Sequence, residues 1–110
     1  MLEDMNEGAT PTPGPDEVID LEEYARSGRK PPKAKTYRIR IDKTKYEVSV
    51  PFMTGRQILT LAGKTPVERF MLSQKLHGGQ VKSIDLDEVV DFTAPGIERF
   101  MTLAKDQTEG

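Results

Sequence analysis

The residue best placed for chemistry is the last one, Gly110, which follows the polar run at 105–109. Its carboxylate could be adenylated and then passed to a thiol or a hydroxyl, if the end of the chain can thread a narrow channel. A residue without a Cβ suits such a channel, since a side chain there would clash with the walls. Gln107, Thr108 and Glu109 would form the tail that carries it. Glycine makes up 9 of the 110 residues, so a glycine at the last position can arise by chance. It indicates this chemistry only if the domain before it has the fold of a protein that is activated at its C-terminus.

The remaining residues do not predict catalysis or a metal site. The sequence has no cysteine, which excludes disulfides, thiolate catalysis and zinc-finger sites. His77 is the single histidine and lies in the Gly-rich stretch 76–80, which is typical of a surface turn. A group of acids near the C-terminal third has the spacing of a solvated face rather than of a calcium loop: Asp85, Asp87, Glu88 and Asp91. We therefore expect a protein that is not an enzyme, with no catalytic residue, no metal and no cofactor of its own.

Length and composition limit the architecture. A chain of 110 residues supports one domain, and its 35% hydrophobic and 31% charged residues indicate that part of it is unfolded. The N-terminus is acidic and has no apolar run, so it does not read as a secretory signal. The sequence also has no stretch near the roughly 20 apolar residues of a membrane span. We expect a cytoplasmic protein that does not bind a membrane.

Charge is divided unevenly along the chain. Residues 1–28 hold eight acids and one base, whereas residues 29–45 hold eight bases and one acid. Blocks of like charge often mark an interaction tail, but the acidic leader could equally fold over the basic strand of its own domain. The basic run contains only Tyr37 as an aromatic residue and the net charge of the chain is −2, so nucleic acid is not an expected partner.

Residues 1–34 are predicted to form a disordered acidic leader. Three prolines and two glycines within 6–15 favour disorder. A short helix is possible near 16–27, followed by a stiff basic linker with Pro31 and Pro32. Leu21 and Tyr24 lie on the apolar stripe of that helix. The stripe is too short for a core, so we expect it to dock on a partner or on its own domain.

The domain at 35–104 shows alternating and helical patterns in a definite order. Strands are predicted at 36–42 and 46–50 as a hairpin, and then at 66–73, 81–84 and 97–103. Thr54 is predicted to cap a helix at 55–62, and 85–92 resembles a helical turn with Leu86, Val89 and Val90 buried. This order predicts an α+β domain with the β-grasp fold, in which a mixed sheet carries one crossing helix and its first and last strands pair in parallel. Residues 105–110 are predicted to be a flexible tail. The predicted core consists of Ile39, Ile41, Val48, Val50, Ile58, Leu61, Leu72, Val90 and the apolar residues of the last strand.

The first strand also suggests a partner surface. Tyr37, Ile39 and Ile41 alternate with Arg38 and Arg40, so the arginines point away from the core if the apolar residues face the helix. We expect Arg38 and Arg40 to meet an acidic surface, either of a partner or of the chain's own leader.

These blocks resemble the bacterial multiubiquitin-domain family over residues 20–103. The similarity rests on the order and spacing of six segments: DLEEYA at 20–25, KPPK at 30–33, YRIRID at 37–42, TGRQIL at 54–59, VDF at 90–92 and PGIERF at 95–100. The resemblance implies a ubiquitin-like modifier that is activated with ATP by an activating-enzyme-like protein. A conjugating-enzyme-like protein would then join it to a target protein, and a protease would process or remove it. Such bacterial systems are associated with defence against phage.

The chain departs from its relatives in two respects. Many of them carry the domain in tandem, whereas this sequence has one copy. It closes with Glu109-Gly110 where eukaryotic ubiquitin has Gly-Gly, which leaves open whether Gly110 is a natural end, a processed end or the end of a shortened chain. The alternative function is a β-grasp adaptor that is never conjugated and binds partners through its sheet face and its acidic leader.

Overall fold

The computed structural model describes residues 17–105. The alternating segment predicted as a hairpin forms strands β2 (Thr36–Ile41) and β3 (Thr44–Val48). A turn of two residues joins them, and Asp42 in that turn adopts a positive φ of 56°. Tight hairpin turns require this left-handed conformation, which aspartate tolerates better than most residues. The predicted hairpin is therefore confirmed.

The last strand, β8 (Ile97–Ala104), lies at the centre of the main sheet. It runs parallel to β2, with Ile41 beside Phe100, and antiparallel to β5 (Phe70–Leu76). The edge strand β6 (Val81–Ile84) has the predicted bounds and pairs with β5. The parallel contact between the first hairpin strand and the last strand is thus confirmed, and it places the C-terminal end of the described chain beside the hairpin turn.

The helix α2 (Gly55–Leu61) begins at the predicted cap. The Thr54 side chain accepts a hydrogen bond from the Gln57 N–H, and the Gln57 side chain accepts one from the Thr54 N–H. This reciprocal arrangement is a capping box, which stabilises the first turn. Ile58 and Leu59 are fully buried in the core shared with β2, β5 and β8. Leu61 is only partly buried.

Two predicted elements differ in the structure. Residues 66–73 are not one strand: Val67–Arg69 form a 3-10 turn, closed by a hydrogen bond from the Arg69 N–H to the Pro66 carbonyl, and β5 begins only at Phe70. Residues 85–92 are not a helical turn. They contain β7 (Val89–Asp91), which pairs with the unpredicted strand β4 (Phe52–Thr54) in a separate two-stranded ribbon.

Two residues that were predicted to be buried, Val89 and Val50, are exposed in the structure. Side chains alternate along β7, so Val90 enters the core whereas Val89 is 59% exposed. Val50 lies in the bend between β3 and β4 and is also exposed. The spacing of Leu86, Val89 and Val90 had suggested a helix. In the structure, residues 89–91 form a short strand, and Val90 is the residue of that strand that enters the core.

The sheet also begins earlier than the predicted boundary at residue 35. Strand β1 (Val18–Asp20) pairs in parallel with the start of β2, and α1 (Leu21–Arg26) follows it. The short helix predicted near 16–27 therefore exists in a shorter form, preceded by a strand. Ile19 is fully buried and lies beside Tyr37 in the sheet register. Burial of this apolar side chain, together with the backbone pairing, makes the segment part of the same folded unit.

The arrangement is an α+β fold with a mixed sheet, a crossing helix and a parallel central pair, which is the predicted β-grasp. One core joins both sheets and both helices. In order, its buried residues are Ile19, Leu21, Tyr37, Ile39, Ile41, Val48, Ile58, Leu59, Val67, Leu72, Ile84, Val90, Phe92, Ile97 and Phe100.

Candidate functional site

The predicted reactive residue, Gly110, lies outside the described residues. The predicted tail residues Gln107, Thr108 and Glu109 also lie outside them. The structure does describe the base from which they continue. Strand β8 ends at Ala104, and Lys105 is the last residue described. The candidate site is therefore the end of β8 and the surfaces around it.

Asp42 ties this end of β8 to the hairpin turn. Its carboxylate accepts hydrogen bonds from the Thr102 N–H at 2.9 Å and from the Thr102 hydroxyl at 2.6 Å. Its own N–H donates to the Phe100 carbonyl at 2.8 Å. Hydrogen bonds to an ionised carboxylate are stronger than neutral ones. These hydrogen bonds hold β8 against the hairpin turn at Thr102, two residues before the strand ends.

The predicted partner-binding residues Arg38 and Arg40 meet acids of their own chain. Arg40 Nε donates to Glu22 Oε1 at 3.0 Å, and Arg38 lies 3.7 Å from Asp20 Oδ2. Arg38 also forms an ion pair of 2.8 Å with Glu47 across the hairpin. Of the two acidic surfaces that the sequence left open, the structure places the chain's own leader against these arginines.

Asp20 and Glu22 form the centre of this ion-pair network. Both residues are buried. Lys45 Nζ bonds Asp20 Oδ2 at 2.7 Å and lies 3.3 Å from Glu22 Oε1. Asp20 also caps α1, since Oδ1 accepts from the backbone N–H of Glu22 and of Glu23. Burial alone would raise the pKa of both carboxyl groups. For Asp20, the hydrogen bonds from Lys45 and from the backbone N–H groups of Glu23 and Glu22, together with the charge of Lys45, outweigh burial and lower the pKa. For Glu22, the hydrogen bonds from Arg40 and Lys45 and the charges of Arg40 and Arg26 together have the same effect on the pKa.

The other two predicted partner residues lie on α1. Leu21 is 2% exposed and belongs to the core, so it is covered by its own domain. Tyr24 is partly buried against the core, and the Arg29 guanidinium lies 4.3 Å from the centre of its ring. In this structure, the apolar stripe of the leader helix contacts the domain itself.

We expect the network to make stability depend on pH in the acidic range. The folded pKa values of Asp20 and Glu22 lie below their unfolded values of 3.8 and 4.5, so the unfolded chain binds more protons as the pH falls. The stabilisation is present above about pH 5 and is lost as the pH drops through the lowered folded values. Urea unfolding at a series of pH values measures this effect.

The variant Asp20→Asn/Glu22→Gln separates the network from the other carboxylates. It should be less stable at pH 7 by about 1–3 kcal/mol, because charge-assisted hydrogen bonds are lost. Its stability should also fall less steeply than that of the unchanged protein below pH 5. Identical pH dependence in the two proteins would contradict the assignment.

Sequence reasoning missed an apolar area on the sheet face that points away from the core. It consists of Met71, Val81, Met101 and Leu103, which we call the open-face patch. In β5 and β8 these residues alternate with buried Leu72 and Phe100, and Met71 stands directly opposite Leu103. The predicted core included Met101 and Leu103 as apolar residues of the last strand, and this was wrong: side chains alternate along β8, so both lie on the face opposite to buried Phe100. The patch adjoins the end of β8.

Between residues 17 and 105, histidines and acids form no cluster of three that could hold a metal ion. Within the same range, neither helix is long and apolar enough to cross a membrane.

Comparison with known proteins gives one match. The family model described as multiubiquitin matches residues 37–105, which begins within β2 and runs to the end of the described chain. No curated protein and no solved structure matches the sequence. The matched range covers more than half of the chain and contains the hairpin, α2, the ribbon and β8. The chain therefore belongs to the multiubiquitin family and is a ubiquitin-like protein.

Proposed function

We propose that this protein is a modifier that partner enzymes attach to a target through the carboxylate of Gly110. The family membership is the observation that carries the proposal. The position of β8 supports it, because the last central strand leads directly into the tail. Five residues follow Lys105 in the sequence, and fully extended they would reach roughly 16–18 Å. That length suffices to enter a buried active site.

The chemistry belongs to the partners. An activating-enzyme-like protein joins the carboxylate to the α-phosphate of ATP and releases pyrophosphate. A carrier thiol then displaces AMP to give a thioester, and a target amine displaces the thiol to give an amide; a target hydroxyl would give an ester. The protein contributes shape and a reachable carboxylate, and it is neither an enzyme nor the holder of a cofactor.

The resemblance in the sequence extends the proposal to the biological setting. We place the protein in the bacterial cytoplasm, beside activating-enzyme-like and conjugating-enzyme-like proteins and a processing or deconjugating protease. The function would be antiphage defence. Nucleic acid is not among the proposed partners, since Arg38, Arg40 and Lys45 are held by the acids of β1, α1 and β3.

Two changes at the C-terminus test the proposal. Intact mass spectrometry first determines whether the mature chain ends at Gly110. Deleting Gly110 leaves the carboxylate on Glu109, whereas Gly110→Ala adds one methyl group beside it. Displacing the reacting atom by about 1 Å can cost on the order of a hundredfold in rate. We expect adenylation and thioester formation with the partner enzymes to fall at least that far for the deletion, and less for Gly110→Ala.

The control is Thr108→Ala, which alters the tail but leaves its last residue and its length unchanged. It should be activated at a rate within a few-fold of the unchanged protein, and all three variants should keep the same melting temperature. If the protein lacking Gly110 is conjugated at the normal rate, the modifier function is wrong. The alternative would then be an adaptor that uses the sheet face, because Asp20 and Glu22 of the leader are already paired within the chain.

A further inference from the structure

An open cleft lies between the turn of the β2–β3 hairpin and the C-terminal end of α2, and its volume is about 550 Å³. Asp42 in its wall is hydrogen-bonded to Thr102. Lys64, also in the wall, places its Nζ 5.9 Å from the centre of the Phe70 ring, and Phe70 stands opposite Ala104 in the sheet. The cleft therefore borders the last residues of β8. It is lined by residues 41–44, Tyr46, Ala62 and Lys64.

The walls of this cleft carry unpaired positive charge. Lys43 is exposed and Lys64 is partly exposed, and neither forms an ion pair within residues 17–105. Asp42 is the one acid among the described residues of the wall, and both of its carboxylate oxygens accept hydrogen bonds from Thr102. The other three cations of the hairpin are held by acids of the same chain. At this end of the hairpin, two ammonium groups thus remain available to a partner.

If partner enzymes take the tail, as proposed above, its length brings them against the cleft. Five residues follow Lys105, and fully extended they reach roughly 16–18 Å. An enzyme that holds Gly110 in a buried site must therefore contact the domain around the end of β8, where the cleft lies. Complementary charges across an interface increase the rate of encounter and exclude partners of the wrong sign. A surface that carries two unpaired lysines favours an acidic partner.

We propose that the cleft binds an acidic segment of the activating-enzyme-like partner, with Lys43 and Lys64 pairing with its aspartate or glutamate side chains. Thr44 and Tyr46 line the same cleft, and their hydroxyl groups can donate further hydrogen bonds to carboxylates. The two lysines act as positioning residues, because they hold the domain at the entrance of the channel while the tail enters it. They take no part in the transfer of the carboxylate.

Reversing both charges in Lys43→Glu/Lys64→Glu tests the proposal. Calorimetric titration of the activating-enzyme-like protein with the full chain, without ATP, measures binding in the absence of any reaction. Loss of two exposed ion pairs alone weakens binding about 2- to 30-fold, and repulsion adds to this loss, so we expect Kd to rise on the order of tenfold or more. The difference should shrink as salt is added, because the charges are exposed.

The kinetics of adenylation separate positioning from chemistry. In Lys43→Glu/Lys64→Glu, the KM for the protein should rise by about the same factor as Kd, whereas kcat should stay within about twofold, because Gly110 and the tail are unchanged. Lys43→Gln/Lys64→Gln removes the charges without reversing them, so its effects should be smaller and in the same direction. Circular dichroism checks that each variant remains folded.

The matched control is Lys33→Glu/Lys35→Glu. It makes the same change in net charge at two exposed positions just before β2 begins, whereas the cleft lies where β2 ends. The six residues of β2 span roughly 20 Å, which exceeds the Debye length at physiological salt. The control should therefore bind within about twofold of the unchanged chain.

Three results of the titration would overturn the proposal: equal weakening by the cleft variant and the control, unchanged binding of the cleft variant, or no binding of the unchanged chain. A fourth result concerns the tail, whose acids Asp106 and Glu109 are the other candidates for the cleft. If removing residues 106–110 shifts the NMR signals of Tyr46 in the chain alone, the tail occupies the cleft and the proposal is wrong. The modifier function fails by a different result, normal conjugation of the chain that lacks Gly110, and the binding measurement does not depend on it.

Discussion

A chain that begins at Lys35 is expected not to form a stable fold, although it keeps every residue that the family model matches. It lacks β1 and α1, and with them the buried side chains of Ile19, Leu21 and Ala25. Burial of Ile19 and Leu21 alone accounts for about 3–6 kcal/mol. A small domain has only about 5–15 kcal/mol in total. The remaining stability should therefore be close to zero.

The loss of ion pairs and hydrogen bonds further destabilises the chain that begins at Lys35. Without the leader, Arg40 and Lys45 lose the carboxylates of Asp20 and Glu22 and remain as neighbouring positive charges. The buried Tyr37 hydroxyl also loses two partners, the Ala34 N–H at 2.8 Å and the Pro32 carbonyl at 3.1 Å. Because water can replace partners that are removed together with the covering segment, each lost hydrogen bond costs about 0.5–1.5 kcal/mol.

Circular dichroism and urea unfolding at neutral pH test this expectation. The matched control begins at Glu17 and keeps all the described contacts, so it should unfold at the same urea concentration as the whole chain. Ile19→Ala in the whole chain should cost about 2–5 kcal/mol, as large-to-small changes in a core do. If the chain that begins at Lys35 unfolds at the same urea concentration as the control, β1 and α1 do not stabilise the domain.

The parts of the fold that the sequence predicted are those with strong local signals. Alternation defined the β2–β3 hairpin and β8 within two residues, and Thr54 and Gln57 identified the start of α2. In these segments, the pattern along the chain and the final packing agree. The parallel pairing of β2 with β8 followed from the order of the elements, because few topologies accommodate it.

The errors occurred where partners distant in sequence decide the structure. Residues 89–91 form a strand only because 52–54 lie beside them, and neither segment is long enough to show a period of its own. In the same way, β1 has three residues and depends on the edge of β2. A periodic pattern over such short stretches cannot separate a strand from a turn of helix.

The same distinction holds for the candidate site: features set by the local pattern were predicted, whereas contacts between residues distant in sequence were not. The alternation of Arg38 and Arg40 with apolar residues correctly indicated that the two arginines avoid the core. Their partners could not be predicted, because Asp20 and Glu22 reach them only through the pairing of β1 with β2. The open-face patch depends on the register between β5 and β8, which sequence alone does not provide.

Gly55→Ala should destabilise the fold by about 2–4 kcal/mol, on the scale of severe overpacking. Helix propensity predicts the opposite sign, since alanine is the better helix former by about 1 kcal/mol. The steric overlap outweighs the gain in helix propensity. A Cβ at Gly55 would overlap the Asp85 carbonyl oxygen and would lie 3.2 Å from the Ile84 side chain. The obstacle is backbone, so it cannot move aside as a flexible side chain would.

The loop at 85–88, which the added Cβ would displace, also forms hydrogen bonds with the first turn of α2. The Gly55 N–H donates to the Glu88 carbonyl at 3.0 Å, and the Arg56 N–H donates to the Leu86 carbonyl at 2.8 Å. Pushing this loop away from the helix breaks both hydrogen bonds and disturbs the entry into β7. Thermal unfolding of Gly55→Ala, compared with Thr60→Ala on the exposed side of the same helix, measures the effect. Thr60→Ala should change stability by no more than about 0.5 kcal/mol. Equal melting temperatures for the two variants would show that the close approach of the loop to α2 does not constrain residue 55.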